Sequence, residues 1–163
     1  GVLPGIFFAM KDYMNLTDEQ VNEAIIVAGI IGNIIKTNAS ISGAEVGCQG
    51  EVGAACSMAA GAVAYLQGGS IDHIEYAAEI ALEHHLGMTC DPVYGYVQIP
   101  CIERNAMGAQ RALDAANYAL LSDGVHHVKF DQIVKIMDET GRDMMDKYRE
   151  TSKGGIAKLF FTC

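Results

Sequence analysis

The sequence predicts an all-α fold, a compact multi-helix domain with long loops. Apolar residues recur at helical spacing along most of the chain, and no run shows the alternation of a strand. Of the 163 residues, 18 are Gly, 50% are hydrophobic and only 19% are charged, which is typical of a packed globular chain whose helices approach on small residues. This length favours a single domain spanning residues 1–163.

Three helices are predicted in the first half of the chain. Thr17 to Gln20 form a capping-box pattern that opens a helix extending to about residue 37. After a loop, small residues predict a helix over 51–66 that stops at Gly68 and Gly69, since glycine tolerates the left-handed backbone of a helix end. Ser70 is the expected cap of a third helix, over 71–86.

Two more helices are predicted in the second half. Pro92 and Gly95 make residues 88–98 an irregular connection, and Pro100 suits the first turn of a helix extending to about residue 121. Apolar spacing predicts the last helix over 131–148, and residues 151–163 are expected to form an extension.

The charge of the chain excludes some classes of partner. A formal net charge of −9, with 11 scattered Lys and Arg, argues against nucleic-acid and anionic-membrane surfaces, so a small molecule is expected. The longest apolar stretch, 24–35, is too short to cross a bilayer, and no signal peptide is recognisable. We therefore expect a soluble, cytoplasmic protein with no membrane partner.

The first residues suggest a longer polypeptide. The chain begins without Met and enters apolar sequence at once, and its mean hydropathy is +0.17. A fragment exposes apolar surface that its missing portion or a partner chain covers. We expect a missing N-terminal part.

Three of the five cysteines stand in turn or loop contexts. Cys48 lies between Gly47 and Gln49-Gly50, Cys90 follows a helix stop, and Cys101 starts a helix, where the helix dipole stabilises a thiolate. A chain without a signal peptide is expected to keep its thiols reduced, and no Cys-x-x-Cys pair is present. Three interpretations of these cysteines remain: they are reactive thiols, ligands of a metal site assembled from distant loops, or inert buried residues.

The other two cysteines are set apart. Cys56 lies within the predicted helix 51–66, roughly 12 Å along the axis from Cys48, so both can hardly bind one cluster. We interpret Cys56 as a small buried apolar residue. Cys163 is the last residue, and it is either an inert frayed end or a thiolate that folds back as an internal ligand.

Four segments resemble a known family. They are NASISGAEVGCQGEVG at 38–53, LGMTCDP at 86–92, VQIPCIERNAM at 97–107 and YRETSKGG at 148–155. These motifs are long and together span most of the chain, and they resemble the alpha chain of bacterial iron–sulfur L-serine dehydratases. The resemblance implies a catalytic region of a longer alpha chain.

The resemblance also implies the cofactor and the reaction. Cys48, Cys90 and Cys101 match the cysteines that hold a [4Fe-4S] cluster in that family, Cys56 matches none, and Cys163 matches a C-terminal cysteine that is a fourth ligand in some members. The family deaminates L-serine to pyruvate and ammonia. Its members carry a further N-terminal segment and a regulatory domain or beta chain, so we expect those partners and an oligomer.

The implied chemistry needs further residues. With three protein thiolates, one iron is open to act as a Lewis acid on the serine hydroxyl while a base removes the α-proton. For the substrate carboxylate, the first candidates are Arg104 and Asn105 and the second is Lys153. Arg104 could equally pair with Glu103 or with a neighbouring helix.

Several other polar residues are weaker candidates for substrate binding or for the base. Ser40 and Ser42, with Asn38, could bind the substrate amino or carboxylate group, although helix capping explains them equally well. His84 and His85 lie near Cys90 in sequence but are more simply packing residues, so the base is expected from the missing N-terminal part. His126 and His127 are expected to be solvated and to have no role.

Two alternative functions remain. Another cluster-dependent lyase, such as a cysteine-desulfurating enzyme, would share the open iron but have a different pocket. A non-catalytic all-α domain would contain the same cysteines as inert reduced thiols.

Overall fold

Seven α-helices build residues 1–160, the part of the chain that this computed structural model describes. They are α1 (Val2–Met14), α2 (Asp18–Asn38), α3 (Gly43–Val46), α4 (Ala54–Leu66), α5 (Ile71–Glu83), α6 (Cys101–Leu120) and α7 (Phe130–Asp143). A π-helical turn, Gln49–Gly53, precedes α4, and 3-10 turns cover Val93–Gly95, Asp146–Tyr148 and Gly155–Phe160. Residues 1–160 contain no strand, which confirms the all-α prediction.

Helix α4 forms the centre of the fold and packs against α1, α2, α5 and α6. Its side chains are small, so its neighbours approach closely: a Cβ added to Gly61 would lie 2.3 Å from Cδ1 of Ile31 on α2. Ser57, fully buried, donates a hydrogen bond to the carbonyl of Ala78 on α5 at 2.7 Å. Small residues and a few buried hydrogen bonds therefore fix the helices around α4.

Two predicted helix caps are confirmed. The helix predicted over 51–66 begins at Ala54, after the π-helical turn, and two other predicted helices end earlier than expected. Thr17 caps α2 and Ser70 caps α5, each in a capping box. The helix predicted over 131–148 ends at Asp143, because Met144 adopts an extended backbone with ψ 128°. The helix after Ser70 ends at Glu83 rather than at residue 86.

Helix α1 was not predicted from the sequence. It buries Val2, Ile6 and Met10, which are spaced one helical turn apart and pack into the core around α4.

Among the helices of residues 1–160, none is both long enough and apolar enough to cross a bilayer.

Candidate metal centre

The three cysteines predicted as cluster ligands line one cavity of about 290 Å³. Cys48 and Cys90 are buried and Cys101 is half-buried. The Sγ atoms of Cys48 and Cys90 and a carboxylate oxygen of Glu51 all lie within 4.8 Å of one another. Residues from three separate segments therefore place thiols around one space, an arrangement that a metal site assembled from distant loops requires.

The turn before α4 positions Cys48. Gly47 has φ 75°, a left-handed backbone that favours glycine, and a Cβ there would lie 2.7 Å from the carbonyl of Met88. The buried side chain of Gln49 donates to the carbonyl of Met137 at 3.1 Å and accepts from the amide of Gly87 at 2.9 Å. Cys48 is thus held between α7 and the segment that leads to Cys90.

Cys90 lies in an extended loop tied to the segment after α7. Its amide donates to the carbonyl of Tyr148 at 2.8 Å, and its carbonyl accepts from the amide of Glu150 at 2.8 Å. This short parallel bridge brings Glu150 to the cavity wall. The segment 148–155, one of the four that resemble the known family, therefore holds the Cys90 loop through backbone hydrogen bonds.

Cys101 is the first residue of α6, directly after Pro100. The amides at the start of a helix lack partners within the helix, and the helix dipole is positive there, so a thiolate or another anionic group is stabilised at this position. The turn that carries Cys48 likewise leads into α4. Two of the three thiols therefore lie at helix N-termini.

The thiols influence one another's pKa. A hydrogen bond from Cys90 lowers the pKa of Cys48 to about 7, with smaller help from the backbone at Val52 and from the positive charge of Arg104. The same hydrogen bond raises the pKa of Cys90, and burial adds to that rise. Burial, followed by the negative charge of Cys48, raises the pKa of Cys101. The thiolate form is therefore favoured at Cys48 over Cys90 and Cys101.

Glu51 is a cavity residue that the sequence analysis missed. Its Oε1 accepts a hydrogen bond from the amide of Gly43 at 3.3 Å. A Cβ on Gly43 would lie 2.9 Å from Cδ of Glu51 and 3.0 Å from Sγ of Cys90, so only glycine fits there without displacement. The three-residue spacing of Cys48 and Glu51 at a helix start was the available signal.

Cys56 lies outside the cavity, as predicted. It is fully buried, and its thiol donates a hydrogen bond to the carbonyl of Gly108 on α6 at 3.1 Å. Burial raises the pKa of Cys56 to about 12. This thiol therefore stays protonated and packs between α4 and α6.

Arg104 and Asn105, the first candidates for the substrate carboxylate, differ in position. Nη1 of Arg104 lies 2.8 Å from Oδ1 of the buried Asp91 and donates to the carbonyl of Thr89 at 2.6 Å. Asn105 lines the cysteine cavity, and its Nδ2 donates to the carbonyl of Cys101 at 2.9 Å. Arg104 thus holds the Cys90 loop against α6, whereas Asn105 faces the cavity.

The remaining candidates are not among the described residues that line the cavity. Ser40 hydrogen-bonds to the carboxylate of Glu45 and accepts from the amide of Ser42, which precedes α3. Lys153 is exposed, and its amide donates to Oγ1 of Thr151 at 3.4 Å. Cys163 lies outside the described residues.

The histidines do not line the cysteine cavity. His85 is buried beside Gly53, its Nδ1 lies 2.6 Å from the carbonyl of Ala81, and burial lowers the pKa of its ring. His84 is exposed on the same turn. The expectation that His126 is solvated is wrong: it is buried and stacks on the ring of Tyr76, because the loop before α7 folds back onto α5.

Comparison with known proteins gives a consistent result. A family described as "Serine dehydratase alpha chain" matches residues 1–157. Similar curated proteins include the L-serine dehydratase of Streptomyces coelicolor, 54% identical over all of this chain, and L-serine dehydratase TdcG of Escherichia coli, 51% identical over 96% of it. An L-serine dehydratase of Helicobacter pylori is 47% identical over 96% of the chain. The chain spans about a third of the length of these relatives, 35–36%.

Proposed function

The chain belongs to the serine dehydratase alpha chain family, and from that membership we propose that it forms the cluster-binding part of an enzyme that deaminates L-serine to pyruvate and ammonia. The observation that carries the proposal is the convergence of Cys48, Cys90 and Cys101 on one cavity. A [4Fe-4S] cluster held by these three thiolates is the proposed cofactor. Residues 1–163 are proposed to act as one catalytic domain.

The residues present fit such a cluster. Iron–sulfur clusters are held by cysteine thiolates, and the cavity offers three thiols, one of which has a pKa lowered to about 7. Gly43 leaves the space beside Cys90 and Glu51 free of a side chain. Two of the thiols also lie at helix N-termini, which favour the negative charge of a cluster bound through thiolates.

When bound, a cluster with three protein ligands supplies one Lewis-acidic iron site. Around it, the chain's own residues are proposed to orient the substrate. Asn105 presents its amide at the cavity wall for the serine carboxylate, and Arg104 adds positive charge just behind it while paired with Asp91. Lys153, Ser40 and Ser42 remain candidates for groups that approach when substrate binds, and Cys163 remains the candidate fourth ligand.

The length of the relatives supports partners outside this chain. We propose that a missing N-terminal segment supplies the general base, that a regulatory domain or beta chain completes the enzyme, and that the whole enzyme is oligomeric. Because the four described cysteines are free thiols, we place the protein in a reducing compartment, the cytoplasm.

The test is an anaerobic assay of the full-length protein, reconstituted with iron and sulfide. We expect pyruvate from L-serine, a loss of at least about a hundredfold in kcat/KM for Cys48→Ser, and near wild-type activity for the matched variant Cys56→Ser. Release of sulfide from L-cysteine with no pyruvate from L-serine would replace the dehydratase assignment with a desulfurating lyase. Equal loss in both variants would contradict the assigned ligand set.

A further inference from the structure

Within residues 1–160, two buried side-chain atoms have no hydrogen-bond partner, and both belong to residues that line the same cleft. They are Oε1 of Glu79 and Nε2 of His126. Glu79 is 2% exposed and His126 is 9% exposed. Oε2 of Glu75 lies 3.5 Å from the His126 nitrogen but makes no hydrogen bond with it. Buried polar atoms normally have a hydrogen-bond partner, so these two atoms lack one that a bound ligand can supply.

The cleft lies between α5 and α6 and has a volume of about 520 Å³. Tyr76, Glu79 and Glu83 face it from successive turns of α5, and Asp114 and Tyr118 face it from α6. The loop before α7 closes one side with His126. No described residue lines both this cleft and the cysteine cavity, so the two sites are separate.

The charge of the cleft is negative. Three carboxyl groups line it, those of Glu79, Glu83 and Asp114, against one guanidinium, Arg111, whose Nη1 lies 3.7 Å from the carboxylate of Asp114. Burial, followed by the charge of Glu83 and a hydrogen bond with the Glu83 side chain, raises the pKa of Glu79 to about 7, while Oε1 of Glu79 is left without a partner. A carboxylate in this position is destabilised until a positive group approaches it.

The walls of the cleft suit an organic cation. The rings of Tyr76 and Tyr118 meet edge to face with centroids 6.0 Å apart, one face of Tyr76 is covered by His126, and Tyr118 is exposed. Ring faces attract ammonium groups. Within residues 1–160, the one group of three donors spaced for a metal ion is Cys48, Glu51 and Cys90. The cleft donors are therefore not spaced for a divalent metal, which needs several ligands at short range.

We propose that this cleft binds a small organic ammonium ion, which donates a hydrogen bond to Oε1 of Glu79 and packs against Tyr76 and Tyr118. The site is independent of the cysteine cavity and of the reaction proposed there. It defines a second ligand class for the domain, a primary amine of a few carbons. Nδ1 of His126 lies 2.9 Å from the carbonyl of Gly124 and donates to it, which leaves Nε2 as the acceptor, so a hydroxyl group elsewhere on such a ligand can donate to it.

The test is isothermal titration calorimetry of the full-length protein with n-butylammonium chloride as the probe. We expect saturable binding to the wild-type protein and none of comparable affinity for neutral 1-butanol. Glu79→Gln keeps the shape of the side chain and removes its charge, so it should weaken binding about tenfold or more. Glu19→Gln, the same charge change at an exposed position in the first turn of α2, should leave binding unchanged.

A second variant keeps the test decisive if Glu79→Gln misfolds. Tyr118 is 62% exposed, so Tyr118→Ala should preserve the fold, checked by circular dichroism, and weaken binding about threefold. The proposal is overturned if n-butylammonium does not bind, or if it binds Glu79→Gln and Glu19→Gln equally. It is also overturned if manganese binds the cleft in a Glu79-dependent way and the amine does not.

Discussion

Cys48 and Cys56 are eight residues apart along one helical stretch, yet they lie in two regions that are built differently. Cys48 belongs to the cysteine cavity, where turns and loops meet and a neighbouring thiol lowers its pKa to about 7. Cys56 belongs to the small-residue core around α4, where burial raises its pKa to about 12. The difference shows that the surroundings, not the residue type, decide which thiol is available for metal binding.

The largest expected effect is on thiol reactivity in the cluster-free protein. The thiolate is the reactive form, and the pKa of Cys48 is lowered by its hydrogen bond from Cys90, whereas burial raises the pKa of Cys56 to about 12. With iodoacetamide and mass-spectrometric mapping, we expect Cys48 to react at least about a thousandfold faster. Its rate should fall as the pH is lowered, because protonation removes the thiolate, and Cys90→Ala should move this profile to higher pH. Similar alkylation rates at Cys48 and Cys56 would contradict the proposed difference between the cavity and the core.

The next largest effect is expected for Asp91, whose buried carboxylate connects the loops around the cavity. Asp91 accepts from Nη1 of Arg104 at 2.8 Å, from the amide of Ile156 at 2.6 Å and from the hydroxyl of Thr89 at 3.2 Å. Asp91→Asn leaves the Arg104 charge uncompensated, so we expect a loss of about 3 kcal/mol in the free energy of unfolding, measured by urea denaturation. A loss below about 1 kcal/mol would show that apolar packing, as in the core, holds these loops.

A smaller effect is expected from filling the cavity wall. Gly43→Ala places a methyl group against Cys90 and Glu51, so it should cost about 2 kcal/mol and impair cluster reconstitution. The matched control is Gly29→Ala on α2, where a Cβ meets nothing within 4 Å and stability should rise by roughly 0.5–1 kcal/mol. Urea denaturation of both variants checks the pair, and equal effects would contradict the close approach at Gly43.

The smallest expected effect is in the core itself. Cys56→Ala removes a buried sulfur and its hydrogen bond to Gly108, so we expect a loss of about 1 kcal/mol in the free energy of unfolding. Thermal denaturation measures the change. Loss of bound iron in this variant would contradict the separation of the two regions.

Much of the core region was predictable from sequence, because local signals determine it. The capping residues Thr17 and Ser70 mark helix starts through hydrogen bonds made within four residues. Met144, by contrast, ends α7 and is itself neither glycine nor proline, and its side chain lies beside Gly47, which is distant in sequence. Helix α1 was missed because Pro4 and Gly5 obscure its apolar spacing.

The cavity was predictable only in part. The loop contexts and the family motifs pointed to Cys48, Cys90 and Cys101 as a group, and the structure brings them to one cavity. The backbone bridge from Cys90 to Tyr148 and Glu150 joins segments that are distant in sequence, so no local pattern announces it. The role of Glu51 as a cavity residue depends on the same long-range assembly.

The most direct test of the central claim is iron and sulfide analysis of anaerobically reconstituted full-length protein. We predict about four irons and four sulfides per chain with broad visible absorbance for the wild-type protein and for Cys56→Ser. Cys48→Ser, Cys90→Ser and Cys101→Ser should each lose that absorbance and most of the iron. A colourless wild-type protein, or iron lost from Cys56→Ser as readily as from Cys48→Ser, would contradict the account.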